Sequence, residues 1–369
     1  MHLYNEEGDT DGLFCTNPSL AFSQNFELSE RNGTKMKKTI SILLMLVLLF
    51  CSFSCVMPTY ATYLAKQELN LAQYTMEDIV NMPKEDFLQL LADFERVYDP
   101  YNTYDTDPIM EDILDAECGE PQISPQWTSG DPTSDDEADR GTHAMLTTQA
   151  IAVLTTDKGF LYPNTGYDIA ANIAAGLSIA LASVLPDKDE RENAFEGHFY
   201  HAINGDSWSG STTNTALTNC RDHYDFALYY DQRNEENMFL NTIGRALHYI
   251  QDVSQPQHAA NIIALNIAHK LFEDYVDDNL ASYLSRIASI NSSSFGSSMT
   301  YSTAASHTVE YLVKEAANKA YQYRSYVNNA LNQSNWNYVA QNTVPNAVGF
   351  SALLMYKIFN AAGRTLYKV

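Results

Sequence analysis

Basic charge is what this 369-residue chain has least of: 22 Lys and Arg stand against 46 Asp and Glu, a formal net charge of −24. Phosphate-backbone binding wants a basic stripe, so this balance argues against a nucleic-acid partner and against electrostatic docking to anionic lipid. Cysteine is scarce too. None of Cys15, Cys51, Cys55, Cys118 and Cys220 has metal-finger spacing, which removes a thiolate-built metal site. Cys51 and Cys55 fall in a hydrophobic leader, so Cys118 and Cys220 are left to pair, or Cys220 alone if residues before Trp127 are removed. No Gly-rich phosphate loop, internal repeat or β-hairpin series is present, which excludes the common nucleotide-binding and repeat architectures.

The N-terminal third divides by composition. Met36-Lys37-Lys38, the apolar stretch Thr39–Phe53 and Thr59-Tyr60-Ala61 have the charged, apolar and small-residue regions of a secretory signal peptide. The apolar stretch is short for a membrane span. Residues 36–61 are therefore expected to direct secretion, with 1–35 an unstructured upstream extension and Met36 the true start. Cys55 offers a membrane-anchored lipoprotein as the minor alternative, although Phe53-Ser54 before it is a poor lipobox. Residues 62–126 carry fifteen Asp and Glu against Lys66, Lys84 and Arg96. Within them Pro83–Val97 patterns as a helix, with Phe87, Leu90, Leu91 and Phe94 on one face and Pro83 suited to the first turn. Two readings stand side by side: a partly ordered acidic extension, or a propeptide cleaved near Trp127. Residues 127–369 are expected to form one catalytic domain.

From Thr142 onward helical patterns dominate. Thr142 is placed to cap a helix bearing His143, Leu146, Ala150, Ile151 and Leu154. Ile169–Leu185 reads as a buried helix ended by Pro186, and Asn237–Asp252 and Asn261–Tyr283 as further helices. A Ser-rich loop follows at 292–302, then helices near 305–331 and 344–362. The expected class is all-α.

Chemistry concentrates in a short stretch. His248/Asp252 and His269/Glu273 are i,i+4 pairs, which a helix places on one face about 5–6 Å apart at Cβ. His258 lies between them, two residues after Pro256, where a helix would normally have ended. Imidazole and carboxylate together suit zinc, and clustered pairs suit a multinuclear site. His143 and His198 extend the set to five of the nine histidines, with Asp187 eleven residues before His198. His201, His223 and His307 fit no pattern and read as structural.

In order, Gly141-Thr-His143-Ala-Met, Pro186-Asp187, His198-Phe-Tyr, Leu247-His248-Tyr-Ile-Gln-Asp252, Gln255-Pro-Gln-His258-Ala-Ala-Asn261 and His269-Lys-Leu-Phe-Glu273 resemble the bacterial zinc-dependent phospholipase C family. That family includes the phosphatidylcholine-hydrolysing enzymes and the catalytic domain of clostridial alpha-toxin. The resemblance implies a helical domain holding three zinc ions. One would take His198, His248 and Asp252, and a second His258, His269 and Glu273. The third would take His143, Asp252 as a bridge, and the amino group and carbonyl of an N-terminal Trp127. Asp187 would be the metal-free catalytic base, with Asp189 near enough to compete for the role. Phe195 matches one aromatic of the headgroup pocket. Two departures stand out: sixteen residues separate Trp127 from His143, and Lys188 occupies a position where the family has tyrosine. A lysine repels a quaternary ammonium that an aromatic face would attract.

A zinc cluster steadies a phosphodiester and activates water. The expected activity is phospholipase C, with a phospholipid substrate at a membrane or micelle surface, no nucleic-acid partner, and a monomeric protein. The rival is a single-strand-specific zinc nuclease or nucleotidase of the same fold. Glu273, the long Trp127–His143 gap and the acidic charge favour the lipase.

Overall fold

A computed structural model describes residues 69–98, 141–159, 168–190, 195–263, 267–292, 295, 299–328 and 333–366. These all belong to one compact unit, Thr62–Val369. The expectations for residues 1–61, Cys118 and Trp127 lie outside the described residues. No strand occurs among those described, and the fold is all-α.

Twelve helices are described: α1 Met76–Val80, α2 Lys84–Tyr98, α3 Gly141–Lys158, α4 Ile169–Ala182, α5 Pro186–Asp189, α6 Ala216–Gln232, α7 Glu236–Asp252, α8 Ile267–Leu284, α9 Tyr301–Ser306, α10 Val309–Tyr321, α11 Arg324–Val327 and α12 Trp336–Ala361. α7 packs on α6, α4 and α12, while α12 also packs on α3, α8, α9 and α10. α7 and α12 are thus central, and both bury long runs of side chains.

Residues 69–98, the described part of the acidic N-terminal segment, belong to this body. Phe87, Leu90, Leu91 and Phe94, the face read from spacing, are all buried in the main core with Leu71 and Ile79. α2 packs on α4, and α1 on α3. Lys84 at the head of α2 pairs with Asp277 of α8 at 2.5 Å.

Several boundaries depart from the sequence reading. Thr142 lies inside α3 rather than capping it, and its hydroxyl donates to Asp277 Oδ1 at 2.9 Å. The helix expected from Asn261 begins at Ile267, because Asn261 takes a left-handed conformation (φ 52°) after the His258 turn. The stretch near 305–331 is broken into α9, α10 and α11. α12 starts well before Pro345, which sits inside it and is buried, as are the residues on either side of it. α6 was not anticipated: its buried positions are mixed with Asp, Tyr and His223, so no clean apolar stripe marks it.

Close approach of α4 and α7 shapes the site. Gly244 sits one turn before His248, and a Cβ there would stand 2.6 Å from Ala182 Cβ and closer still to the Ile179 carbonyl. Only glycine lets the two backbones meet this closely. The contact brings the Ser183 carbonyl to His248.

Candidate metal centre

α7 projects His248 and Asp252 from adjacent turns of one face, as their spacing requires. α3 supplies His143, α5 supplies Asp187, the short turn at Glu196–His198 supplies His198, the turn at His258–Ala260 supplies His258, and α8 supplies His269 and Glu273. All eight are buried. Three groups emerge whose ligand atoms lie within 4.8 Å of one another: His143/Asp187/His248, His198/His248/Asp252 and His258/His269/Glu273.

Each imidazole but one is aimed by a hydrogen bond from its outward nitrogen. His248 Nδ1 donates to the Ser183 carbonyl at 2.9 Å, and His258 Nδ1 to the His198 carbonyl at 2.8 Å. His198 Nε2 donates to the Glu190 carbonyl at 3.1 Å. His143 Nδ1 donates to Gln251 Oε1 at 2.7 Å, and the Gln251 amide group is itself committed to Thr147 and Ser351. Such partners fix the tautomer and leave the inward nitrogen as a lone pair. His269 Nδ1 has no such acceptor. Phe199 stacks on the His258 ring at 4.5 Å.

These residues fit a metal. With their outward protons given to carbonyls, His248 Nε2 and His198 Nδ1 face each other as lone pairs 2.9 Å apart. That approach is repulsive unless a cation or proton lies between them. Asp252 Oδ2 stands 3.1 Å from His248 Nε2 and 2.9 Å from His198 Nδ1. Among the described residues, His143 Nε2, Asp252 Oδ1 and His258 Nε2 are buried with no hydrogen-bond partner, and His269 Nε2 stands 2.9 Å from Glu273 Oε1, an arrangement a protein tolerates where an ion satisfies these atoms.

Electrostatics divides the rings. Burial and the neighbouring His248 push the His143 pKa down to about 4. Burial also works against charge on His248 and His258, yet the nearby carboxylates outweigh it and raise both, with Asp187 and Asp252 acting on His248 and Asp252 and Glu273 on His258. Burial would raise Glu273, but His269 and His258 hold it down to about 2.

The remaining expectations find definite places. Asp187 lies within the cluster: Oδ1 is 3.3 Å from His248 Nε2 and 3.5 Å from His198 Nδ1, and Oδ2 is 3.8 Å from His143 Nε2. Asp189 does not compete, because it forms a bidentate pair with Arg245. Phe195 is buried in a left-handed conformation (φ 61°), its ring edge-on to His198 at 5.4 Å. Cys220 is buried and free, its thiol directed to the Ala246 carbonyl. His223 is tied to Glu190 and His307 lies on the exposed end of α9. The acceptors Ser183, Glu190 and Gln251 were not readable in advance. Only Gln251, three residues after His248, carried a local signal.

Residues 142–341 match the family profile described as zinc dependent phospholipase C. The chain belongs to this family. Among curated relatives, a phospholipase C of Clostridium perfringens is 24% identical over 233 residues, covering 60% of this chain and 58% of the relative. A phospholipase C of Clostridium novyi is 25% identical over 239 residues, covering 61% and 60%. One from Listeria monocytogenes is 26% identical over 159 residues, covering 41% and 52%. The chain thus spans roughly half to three-fifths of the length of these relatives. The alpha toxin of Clostridium absonum superposes with a TM-score of 0.53 at 21% identity, covering 62% of this chain and 66% of the toxin chain. That likeness concerns the fold. Family membership makes zinc the expected metal, in keeping with the imidazole and carboxylate donors.

Proposed function

We propose that this protein is a secreted zinc-dependent phospholipase C, hydrolysing glycerophospholipids to diacylglycerol and a phosphorylated headgroup. The observation that carries the reading is the buried set of five imidazoles and three carboxylates, which falls into three groups with ligand atoms within 4.8 Å of one another. Zinc bound there would neutralise charge developing on the phosphate and make water a better nucleophile. Three ions are assigned: one to His198, His248 and Asp252, one to His258, His269 and Glu273, and one to His143 with Asp252 and the Trp127 N-terminus. The proximity of Asp187 to His143 and His248 also makes it a candidate ligand on the His143 side.

The chain's own groups then divide the work. His143, kept neutral by burial, offers a lone pair and not a proton. Glu273, held ionised, contributes a full negative charge. Asp187 reaches the cluster from α5 and is assigned to orient the attacking water and accept its proton. Phe195 backs His198 and is assigned to the wall nearest the headgroup. Residues 36–61 are assigned to export and 127–369 to the catalytic domain, with phospholipid at a membrane or micelle surface as partner and a monomeric enzyme.

The test offers zinc-loaded protein, intact and cleaved before Trp127, mixed phospholipid vesicles and single-stranded DNA in parallel, with Glu273→Gln as control. Diacylglycerol release that vanishes in the control is expected. Nucleotide release without diacylglycerol would transfer the same metal centre to nuclease chemistry.

A further inference from the structure

Behind His198 lies a second polar cluster that binds no expected ion. Glu190, the residue closing α5, turns its side chain into the protein, where three donors meet it. His223 Nε2 of α6 donates to Oε2 at 3.0 Å, the Tyr249 hydroxyl donates to the same oxygen, and Arg245 of α7 donates to Oε1. Arg245 is almost fully buried and also holds Asp189 by a bidentate pair at 2.8 and 2.5 Å, while its Nε donates to Asn241 at 2.9 Å. Burial of Glu190 alone would favour its neutral acid, yet His223 and Arg245 outweigh burial and keep it ionised.

An ionic cluster whose guanidinium is buried and whose Glu190 is largely shielded is a poor source of stability, since desolvation of these charges is costly. Its position offers another use. The main-chain carbonyl of Glu190 is the acceptor that takes the His198 Nε2 proton at 3.1 Å and leaves Nδ1 facing His248 and Asp252. Arg245 and Tyr249 flank His248 on α7. One helix therefore delivers two metal-type residues and, from an adjoining face, two of the three groups that grip Glu190.

We propose that Glu190 is a positioning residue of the metal centre: gripped by Arg245, Tyr249 and His223, it fixes the carbonyl that sets the tautomer and aim of His198. The proposal rests on the zinc reading above. It assigns Glu190 no contact with substrate. Loss of the grip frees the carbonyl, lets His198 turn, and weakens the ion it shares with His248 and Asp252. The ion of His258, His269 and Glu273 depends on the His198 carbonyl rather than its ring, so it is expected to feel much less.

The experiment is zinc titration of the full chain against a competing chromophoric chelator, for the wild type, Glu190→Gln and the milder Tyr249→Phe. Long-range ¹H–¹⁵N NMR of the imidazoles reads the tautomer directly. Removal of an outer partner of a metal-binding histidine typically costs on the order of 10–100-fold in affinity. Glu190→Gln is expected to lose that much at one ion only, with the His198 tautomer no longer fixed, and Tyr249→Phe to lose less at the same ion. If Glu190→Gln does not fold, Tyr249→Phe alone decides. Unchanged zinc affinity and an unchanged His198 tautomer in the folded variants, with only a lower melting temperature, would overturn the proposal. Absence of zinc binding by the wild type would instead overturn the reading on which it rests.

Discussion

The two halves of the candidate metal centre are built differently. The half around His258, His269 and Glu273 comes from one stretch of chain: a turn, then a single i,i+4 pair on α8. The half around His143, Asp187, His198, His248 and Asp252 draws on four separate elements, and His248 belongs to two of its ligand groups. The first half needs α8 and one turn, with the His198 carbonyl aiming His258. The second exists only when α3, α5, α7 and the His198 turn have packed, so it should be both more cooperative and more vulnerable.

The largest expected effect tests that asymmetry. His248→Ala removes a donor of the ion assigned to His198, His248 and Asp252, so zinc stoichiometry should fall there and diester hydrolysis should drop by more than the roughly 100-fold that outer-partner changes cost. Glu273→Gln should remove zinc only from the local half, read by metal analysis of the dialysed protein. Equal loss from both halves in the two variants would erase the distinction.

Next comes the support beneath the assembled half. α2 packs on α4, whose trailing Ser183 carbonyl orients His248. Leu91→Ala should cost about 2–5 kcal/mol in urea unfolding, the usual range for a buried leucine, and should loosen zinc in the assembled half first. A cost near zero would mean that the N-terminal segment is a detachable cover.

Stripping the metal should cost about 2.7 kcal/mol of stability relative to zinc present at a hundred times its dissociation constant, seen as a lower melting temperature. The pH dependence of the two forms should then run in opposite directions. His248 and His258 have folded pKa values raised above the ordinary 6.5. In the stripped protein their protonated forms therefore contribute stability that is fully present below about 6.5 and is lost as pH rises through the folded values. Zinc needs the neutral rings, so its binding should release protons and tighten with rising pH. Calorimetry in buffers of different ionisation enthalpy would count those protons; no release would show that neither ring is charged before binding.

The smallest effect is expected at Lys84→Met. Its pair with Asp277 is partly exposed, where such pairs contribute up to about 1 kcal/mol. Asp277 also accepts from Thr142 at the start of the His143 helix. A change in zinc binding larger than the change in stability would place Lys84 among the groups that support the assembled half.

The sequence reading found the local half almost whole. His269 and Glu273 announce themselves by spacing, and Pro256 marks the turn that carries His258. The α2 face was equally legible, because Phe87, Leu90, Leu91 and Phe94 keep a helical period. α6 escaped, since Cys220, Ala227 and Tyr230 are buried among charged and polar neighbours against α7, and burial there follows from packing rather than from period. Asp187 was picked out as a catalytic candidate, but its placement 3.3 Å from His248 was not visible.

What the sequence by itself determined is the inventory: all-α class, an acidic net charge, and the donor types in their order along the chain, because helical period and i,i+4 geometry are local properties. Only the tertiary structure decided which donors meet. Asp189 was withdrawn by Arg245, Asp187 was drawn in, and Ser183, Glu190 and Gln251 became the acceptors that aim the rings. Those choices depend on how closely helices approach, as Gly244 allows α7 to meet α4, and distances across the core are written in no single segment.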